Sequence, residues 1–486
     1  MRKAKIVATL GPSSWSHEKI EELIKAGVNV FRLNFSHGDR ESHKGLIKSI
    51  REIATKLGSH TAILQDISGP KIRIGQVDDV MYLKEGDEIK FQKDDILSST
   101  KNKTLCLSHP EIINSLEIGS KVYMADGTIK TEVVRKEGDA AFVKVLVSGK
   151  LTSRKGVNFP GVTIPVPTIT KKDKDDLIFG AKEGVDIVAL SFVRRASDVA
   201  EAREVLKEHN SNPLLFAKIE MVEAMQNIDD ILEQVDGVMV ARGDLGVELG
   251  LSKVPVAQKK LIKKANFKGL PVITATQMLI SMINSEFPTR AEVSDIANAV
   301  MDGSDAVMLS DETAVGKYPI EAVNVLDETI REIEEIYQYY QHKNEEHPTK
   351  EAIALSASTL AETIDPKGII VFSKRGLSAL TLAKYRPKSE IIINSSSVDT
   401  LRKMSVVWGV TQGSLMPEIE NSDELIYRFI KDGLQRGVID KDSNYILTIG
   451  APISKIGNTN LLRVIDRSIM EYMIDMFECS MDRKTQ

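Results

Sequence analysis

Cysteine is almost missing from this chain, which has two, Cys106 and Cys479, in 486 residues. Two thiols so far apart in sequence exclude a disulfide framework and a Cys-rich zinc centre, and they fit a reducing cytosol. Long apolar runs are missing as well: no window approaches the ~20 apolar residues that cross a bilayer. The opening MRKAKIVATLGPSSWS has basic residues, but its short apolar run ends at Gly11-Pro12 and reads as a first strand, not a secretion signal. A net charge of -5, with no basic stripe interleaved with aromatics, argues against a nucleic-acid partner. The eight histidines form no HExxH or other metal spacing. There is no GxxxxGK[ST] loop, and Gly243-x-x-Gly246 lacks the spacing of a dinucleotide fingerprint. What remains is an ordinary globular composition, 42% hydrophobic and 27% charged, long enough for two to four domains.

The hydrophobic pattern alternates strands and helices. Lys5-Ile6-Val7-Ala8-Thr9-Leu10 reads as a strand, His17 to Ala26 as a helix, and Val28 to Leu33 as the next strand. A charged helix over Asp39 to Leu57 leads to a third strand, Thr61 to Asp66. After Ser68-Gly69-Pro70 the rhythm breaks. Residues 71–167 carry short β-branched runs (IRIGQV, VMYL, EIKF, KVYMA, FVKVLV) and the turns EGDE, ADGT and KEGD, which predict hairpins in an inserted all-β module. The alternation resumes with a helix from Lys171 to Glu183 and strands at Val185–Phe192, Leu214–Glu220, Gly237–Ala241, Leu270–Thr276 and Asp305–Ser310. A long helix from Pro319 to about His342 closes the set. Eight strand–helix units predict a (β/α)8 barrel spanning residues 1–70 and 168–345. Residues 346–486 restart the pattern as an open α/β domain, with strands at Gly368–Phe372, Glu390–Ile393, Tyr445–Ile449 and Leu461–Ile465 and a weakly helical tail from Asp466.

The sites of such barrels lie at the carboxyl ends of the strands. Those ends carry Thr9, then Arg32, Asn34, Ser36 and His37, then Asp66, Ser191, Lys218 and Glu220, Arg242 and Asp244, Thr276, and Ser310 and Glu312. Lys218 and Glu220 are two apart, so in a strand they share one face. Asp244 follows the neighbouring apolar run, and adjacent strands lie roughly 5 Å apart. Two carboxylates converging without a cation repel, whereas Mg²⁺ takes one or two carboxylates along with water and substrate phosphate. Lys218 as a point charge and Arg32 as a fork suit a phosphate-bearing substrate. Free N–H groups at the turn after Gly243 would hold a second anion such as a carboxylate, with a hydroxyl from Thr276. The pattern points to metal-assisted phosphoryl transfer.

These residues, in this order, resemble the pyruvate kinase family. The likeness covers nearly the whole chain and rests on KIVATLGPSS, GVNVFRLNFSHG, SGPKIRIG, SRKGVNFPG, LSFVR, AKIE, VMVARGDLGVE, ATQML, PTRAEVSDIANAVMDGSDAVMLS and GKYP. It implies a barrel with a β lid inserted after the third strand and a C-terminal regulatory domain. It also implies transfer of the phosphoryl group of phosphoenolpyruvate to ADP, giving pyruvate and ATP in the last step of glycolysis, in a cytoplasmic homotetramer. On the matching positions, the likeness makes Glu220 and Asp244 the ligands of Mg²⁺ (or Mn²⁺). Lys218 stabilises the transferring phosphoryl group and the enolate, and Arg32 contacts the substrate phosphate. Gly243, Asp244 and Thr276 bind the carboxylate, with Thr276 near the proton delivered to the enolate. Arg73 and Lys155 contact nucleotide phosphates, and Asn34 and His37 face the nucleotide or the monovalent-ion site.

The chain departs from the family pattern at its potassium site. That site matches Asn34, Ser36, Asp66 and the carbonyl of Ile67; potassium-dependent members have threonine where Ile67 stands and glutamate where Lys71 stands. An ammonium from Lys71 near Asp66 would replace the ion, so K⁺ is expected to be unnecessary. Asp311 stands where the family usually has glycine, and Met221 where a polar residue is common. In the C-terminal domain, Ser373, Lys374, Arg375, Gly376 and Ser378 match the family's effector phosphate loop, with Gly450 to Asn460 as its complement, and imply control by a phosphorylated metabolite. Competing readings are another Mg²⁺-dependent pyruvate or phosphoenolpyruvate barrel, such as an aldolase or phosphomutase, and a catalytically silent metabolite sensor. The lid and C-terminal domain weigh against the first, and the intact Lys218, Glu220, Asp244, Arg32 and Thr276 against the second.

Overall fold

The run Leu214-Leu215-Phe216-Ala217-Lys218-Ile219 shows why these strands form a covered sheet. Leu215, Ala217 and Ile219 join the core beneath the outer helices, while Phe216 joins the core inside the barrel. Burial of both faces is what a parallel sheet wrapped by helices requires. The computed structural model of the chain describes residues 2–93, 98–340, 349–451 and 459–482. Eight parallel strands close into a barrel, each paired with the next in sequence: β1 (Lys5–Thr9), β2 (Val30–Asn34), β3 (Ala62–Asp66), β4 (Ile187–Leu190), β5 (Leu214–Ile219), β6 (Gly237–Ala241), β7 (Val272–Ala275) and β8 (Ala306–Leu309). This is the (β/α)8 barrel expected from the sequence. The covering helices begin at local capping signals. Asp39 caps Arg40–Lys56, and Thr170 and Thr289 close capping boxes with Asp173 and Glu292.

The segment between β3 and β4 forms two sheets of its own, antiparallel except where Glu88–Gln92 pairs parallel with Thr104–Cys106, over a separate core that includes Ile89, Phe91, Val122 and Val143. ADGT and KEGD do turn hairpins, joining Lys121–Met124 to Ile129–Glu137 and that strand to Ala140–Val147. EGDE does not. The strand before it, Met81–Leu83, pairs with Gly149–Leu151, and the strand after it, Glu88–Gln92, pairs with Ala140–Val147. IRIGQV forms only isolated bridges, from Arg73, Ile74 and Val77, because it is the hinge entering this module.

The C-terminal domain is a five-stranded sheet in the order β11-β10-β9-β12-β13, where β9 is Gly368–Phe372, β10 Glu390–Ser395, β11 Val410–Leu415, β12 Tyr445–Ile449 and β13 Leu461–Ile465. The edge strand β11 was not expected. The helix foreseen from Pro319 to His342 ends at Glu334, and residues 341–348 lie outside the described residues. The tail forms a helix, Arg467–Asp482.

At the amino end of the barrel one device recurs. The residue before each even strand accepts a hydrogen bond from the backbone N–H of the preceding odd strand. Asn29 receives Ile6 N (3.0 Å), Asp186 receives Ile63 N (2.7 Å), Asp236 receives Leu215 N (2.9 Å) and Asp305 receives Val272 N (2.9 Å). Each acceptor also holds an arginine: Arg2, Arg51, Arg203 and Arg386 respectively. Arg386 comes from the C-terminal domain, and its guanidinium lies 5.0 Å from the Trp408 ring centroid. The barrel interior and the C-terminal domain share one hydrophobic cluster, running from Phe216, Met239 and Ile273 to Ile369, Ile391 and Val407.

Candidate active site

Strand parity delivers charge to the opposite end. Phe216 points into the barrel, so Lys218, and Glu220 just beyond β5, continue on the same side. Lys218 Nζ donates to Ser191 Oγ (2.7 Å) and lies 2.9 Å from Glu220 Oε1 and 3.2 Å from Asp66 Oδ1. The other oxygen of Asp66 accepts from Arg32, at 2.8 Å from Nε and 2.7 Å from Nη2. Arg32 Nη1 donates to Thr9 Oγ1 (3.1 Å), and Ser191 Oγ donates to the carbonyl of Ile67 (2.7 Å). The carboxyl ends of five strands, β1 to β5, thus contribute to one charged network. Asp66 and Glu220 are each 1% exposed, so their pairing decides whether they are tolerated at all.

Burial works against the Lys218 ammonium, but Asp66 and Glu220 outweigh it and raise its pKa above the usual lysine value. Burial also opposes the Asp66 carboxylate, yet Lys218 and Arg32 hold its pKa below the ordinary range. At Glu220 burial prevails, reinforced by the negative charge of Asp244, and the pKa rises despite Lys218 and the N–H of Phe192. Phe192 N donates to Glu220 Oε2 at 2.8 Å from a left-handed backbone, φ 56°. Gly69 permits that turn: a Cβ there would fall 2.8 Å from the Phe192 ring and 3.0 Å from Ser191.

Asp244 lies in the first turn of helix Arg242–Leu249 and pairs with no cation among the described residues. Glu220, buried and subject to the negative charge of Asp244, together with Asp244 itself, which pairs with no cation among the described residues, is a donor set that fits Mg²⁺. Among the described residues no group of three His, Cys, Asp or Glu side chains gathers into a self-sufficient cage, so the remaining ligands would come from water and substrate. Thr276 faces this helix end. Its Oγ1 accepts from Gly243 N (2.9 Å), so that N–H is already engaged. Thr276 and Gln277 both have positive φ, 71° and 56°, which is strained for a β-branched residue. Arg242 braces the turn by donating to the carbonyls of Ala275 (3.2 Å) and Thr276 (2.6 Å) while paired with Asp295.

The remaining expected residues divide into neighbourhoods. Asn34, Ser36 and His37 follow β2, where Asn34 Oδ1 accepts from Ser36 N (3.1 Å). Arg73 and Lys155 come together in the lid hinge: Arg73 bridges Gly156, and Ile74 N donates to the Lys155 carbonyl (2.9 Å). No hydrogen bond or ion pair between described residues links them to Lys218 or Arg32. Lys71 is not brought to Asp66. Its Cε lies beside Gly156, 3.2 Å from where a Cβ would stand, and Asp66 pairs with Arg32 and Lys218 instead. In the C-terminal domain, Ser373, Lys374, Arg375 and Gly376 form the loop after β9, and Ser378 lies in the first turn of the helix Leu377–Ala383 that follows. Lys374 pairs with Glu418, Ser378 Oγ meets Thr459 Oγ1 (2.7 Å), and Gly376 has φ 81°. Residues 452–458 of the companion loop lie outside the described residues, while Ala451 N donates to Asn460 Oδ1 (2.8 Å). Nothing in the structure explains Asp311, an exposed residue opening helix Asp311–Ala314, and Met221 is simply buried. Thr9 and Ser191 were legible only as hydroxyls at strand ends, yet they join the charged network directly.

A ring of buried charge at the carboxyl ends of such strands defines a (β/α)8 enzyme. The family model for the pyruvate kinase barrel domain matches residues 1–323, and that for the pyruvate kinase alpha/beta domain matches residues 351–465. A pyruvate kinase of Geobacillus stearothermophilus is 42% identical over 472 residues, covering 95% of this chain and 80% of the relative. One of Staphylococcus aureus is 43% identical, covering 96% and 80%. A crystal structure of a pyruvate kinase from Cryptosporidium parvum superimposes with a TM-score of 0.90 at 37% identity, covering 96% of both chains. The chain belongs to the pyruvate kinase family and is a phosphotransferase.

Proposed function

We propose that the chain moves the phosphoryl group of phosphoenolpyruvate to ADP, the closing step of glycolysis, in the cytoplasm. The observation that carries this is Asp66, which divides its two oxygens between Arg32 and Lys218 and so holds two cations at a set spacing for one phosphoryl group. Bound Mg²⁺ at Glu220 and Asp244 supplies neutralisation of phosphoryl charge. The protein does the rest by position and electrostatics. Arg32 grips the phosphoryl oxygens. Lys218 turns from Glu220 and Asp66 to the bridging oxygen, where negative charge grows. The first turn of Arg242–Leu249 and Thr276 orient the carboxylate, and Arg73, Lys155, Asn34 and His37 hold the nucleotide. As a β-phosphate oxygen of ADP bonds to phosphorus, the bond from phosphorus to the enol oxygen breaks. The enolate then takes one proton beside Thr276, so phosphoenolpyruvate, ADP and H⁺ become pyruvate and ATP.

We further propose that K⁺ is not required. Ile67 offers no hydroxyl ligand, its carbonyl already accepts from Ser191, and Lys71 adds a fixed positive charge at the lid hinge. The loop Ser373–Ser378 is proposed to bind a phosphorylated effector in place of Glu418, supported by its two cations and glycine turn. A homotetramer is proposed from the family likeness, supported by exposed apolar side chains at Leu251, Val256 and Phe287. The test is ATP formation from phosphoenolpyruvate and ADP with Mg²⁺ in buffer free of Na⁺ and K⁺. Full turnover is expected, and Lys71→Glu should create a K⁺ requirement. A strong K⁺ requirement in the unmodified enzyme would sink the K⁺ proposal, and no ATP under any cation would sink the function.

A further inference from the structure

The turn after β2 is held from below by a residue with no part in the chemistry above. His43 lies in the first turn of helix Arg40–Lys56 and is 7% exposed. Its ring stacks on Phe35, with centroids 4.1 Å apart and planes 10° from parallel. Its Nε2 lies 2.9 Å from the carbonyl of His37, and its Nδ1 is buried without a partner. A carbonyl only accepts, so Nε2 carries the proton and donates; Nδ1 keeps its lone pair, and the ring is neutral. Burial agrees, since it holds the His43 pKa below the usual value against the pull of the His37 carbonyl, Asp176 and Asp39 and alongside the repulsion of Lys172.

The other end of the turn is held independently. Lys172 Nζ donates to the Phe35 carbonyl (2.7 Å) and pairs with Asp176 (2.7 Å); Ser68 Oγ donates to the same carbonyl (3.1 Å). Phe35 N donates to the Asp66 carbonyl (2.9 Å), and the Phe35 ring also meets Phe179 at 5.8 Å. Three backbone anchors from outside the turn therefore hold residues 35 to 37, which leaves the side chains of Ser36 and His37 exposed, with Asn34 held by the N–H of Ser36. Of these three, the anchor at the His37 carbonyl is the one that depends on a single side chain.

We infer that His43 is a positioning residue for the nucleotide: its N–H to the His37 carbonyl, on a ring stacked against Phe35, sets the orientation of Asn34 and His37 toward ADP. This rests on the proposal that those two residues face the nucleotide.

Two variants separate the roles of the ring. His43→Phe keeps the stack and removes the donor. His43→Gln restores an N–H near the position of Nε2 without the ring. In steady-state assays of the full-length enzyme, His43→Phe should raise KM for ADP about tenfold, the size of effect expected from one lost buried hydrogen bond. Its kcat and its KM for phosphoenolpyruvate should stay near the wild-type values. His43→Gln should recover most of the KM for ADP. An unchanged KM for ADP in His43→Phe overturns the inference. So does a parallel loss in kcat and both KM values that glutamine fails to rescue, which is the signature of a merely structural residue. Asn34→Ala and His37→Ala serve as controls. If neither raises KM for ADP, the nucleotide assignment of the turn fails and the inference with it. If they raise it and His43→Phe does not, the inference alone fails.

Discussion

The two ends of the barrel both bury charge, and they do so in opposite ways. At the amino end each acceptor of the fourfold set takes both a backbone N–H and an arginine. Asp305 takes Arg386 on both oxygens together with the N–H groups of Val272 and Trp408. Two of its partners are backbone amides, which no ligand can displace. At the carboxyl end Asp66, Lys218 and Glu220 are satisfied mostly by one another, and Asp244 pairs with no cation among the described residues. Side chains that satisfy each other can exchange partners when a polyanion arrives. The comparison teaches that buried charge alone does not mark a site; charge whose partners are themselves side chains with free rotamers does. The amino end closes the fold, and the carboxyl end stays exchangeable.

The sharpest way to break this contrast is at Arg386. Arg386→Leu leaves Asp305 buried without its cation and should cost about 3–5 kcal/mol of stability, read as a lower denaturation midpoint, while kcat of the folded enzyme holds. A fall in kcat at unchanged midpoint would erase the distinction between the ends. The converse change is Lys218→Met, which should lower kcat by about 10²–10³-fold, the range for removing a group that stabilises developing charge. Turnover within a few-fold of wild type would remove Lys218 from its role. The smallest effect lies at Lys5, also at the amino end, whose Nζ donates to the Val410 carbonyl (2.6 Å). Burial, then the nearby Arg2 and Lys3, push its pKa down to about 7. A lysine whose folded pKa lies below its unfolded value is a liability that is largest below pH 7 and is relieved as pH rises toward 10.5. Relative to Lys5→Met, the wild type should therefore gain about 2 kcal/mol between pH 7 and pH 9. Parallel pH profiles for the two proteins would show that Lys5 keeps an ordinary pKa.

Much of this was legible in the chain. The barrel strands could be read because burial on both faces leaves an unbroken apolar run, and Lys218 with Glu220 because strand parity is strict. The edge strand β11 was not legible: its core is Thr411-Gln412-Gly413-Ser414, and an edge with only one neighbour tolerates polar residues. The direction of Lys71 was not legible either. It stands at a hinge, and the long module that follows decides where its side chain goes. The amino-end arginines were hidden for another reason. Arg51 and Arg386 meet acceptors 135 and 81 residues away, and no local pattern announces such pairs. His43 and Ser191 looked like ordinary polar residues because a hydrogen bond to a distant or looped carbonyl leaves no periodic trace.

The division of the hydrophobic interior has a consequence for how the molecule comes apart. The lid keeps a core of its own, whereas the barrel lumen runs without a break into the C-terminal sheet. Prying the lid from the barrel exposes none of that continuous core, so it draws on little of the global free energy. Separating the C-terminal domain would uncover the floor of the barrel itself. The chain should thus unfold as two cooperative units that do not follow its three-part architecture. Amides of the lid should exchange with solvent in openings of their own, while those of the barrel and the C-terminal sheet exchange together, in a common global opening.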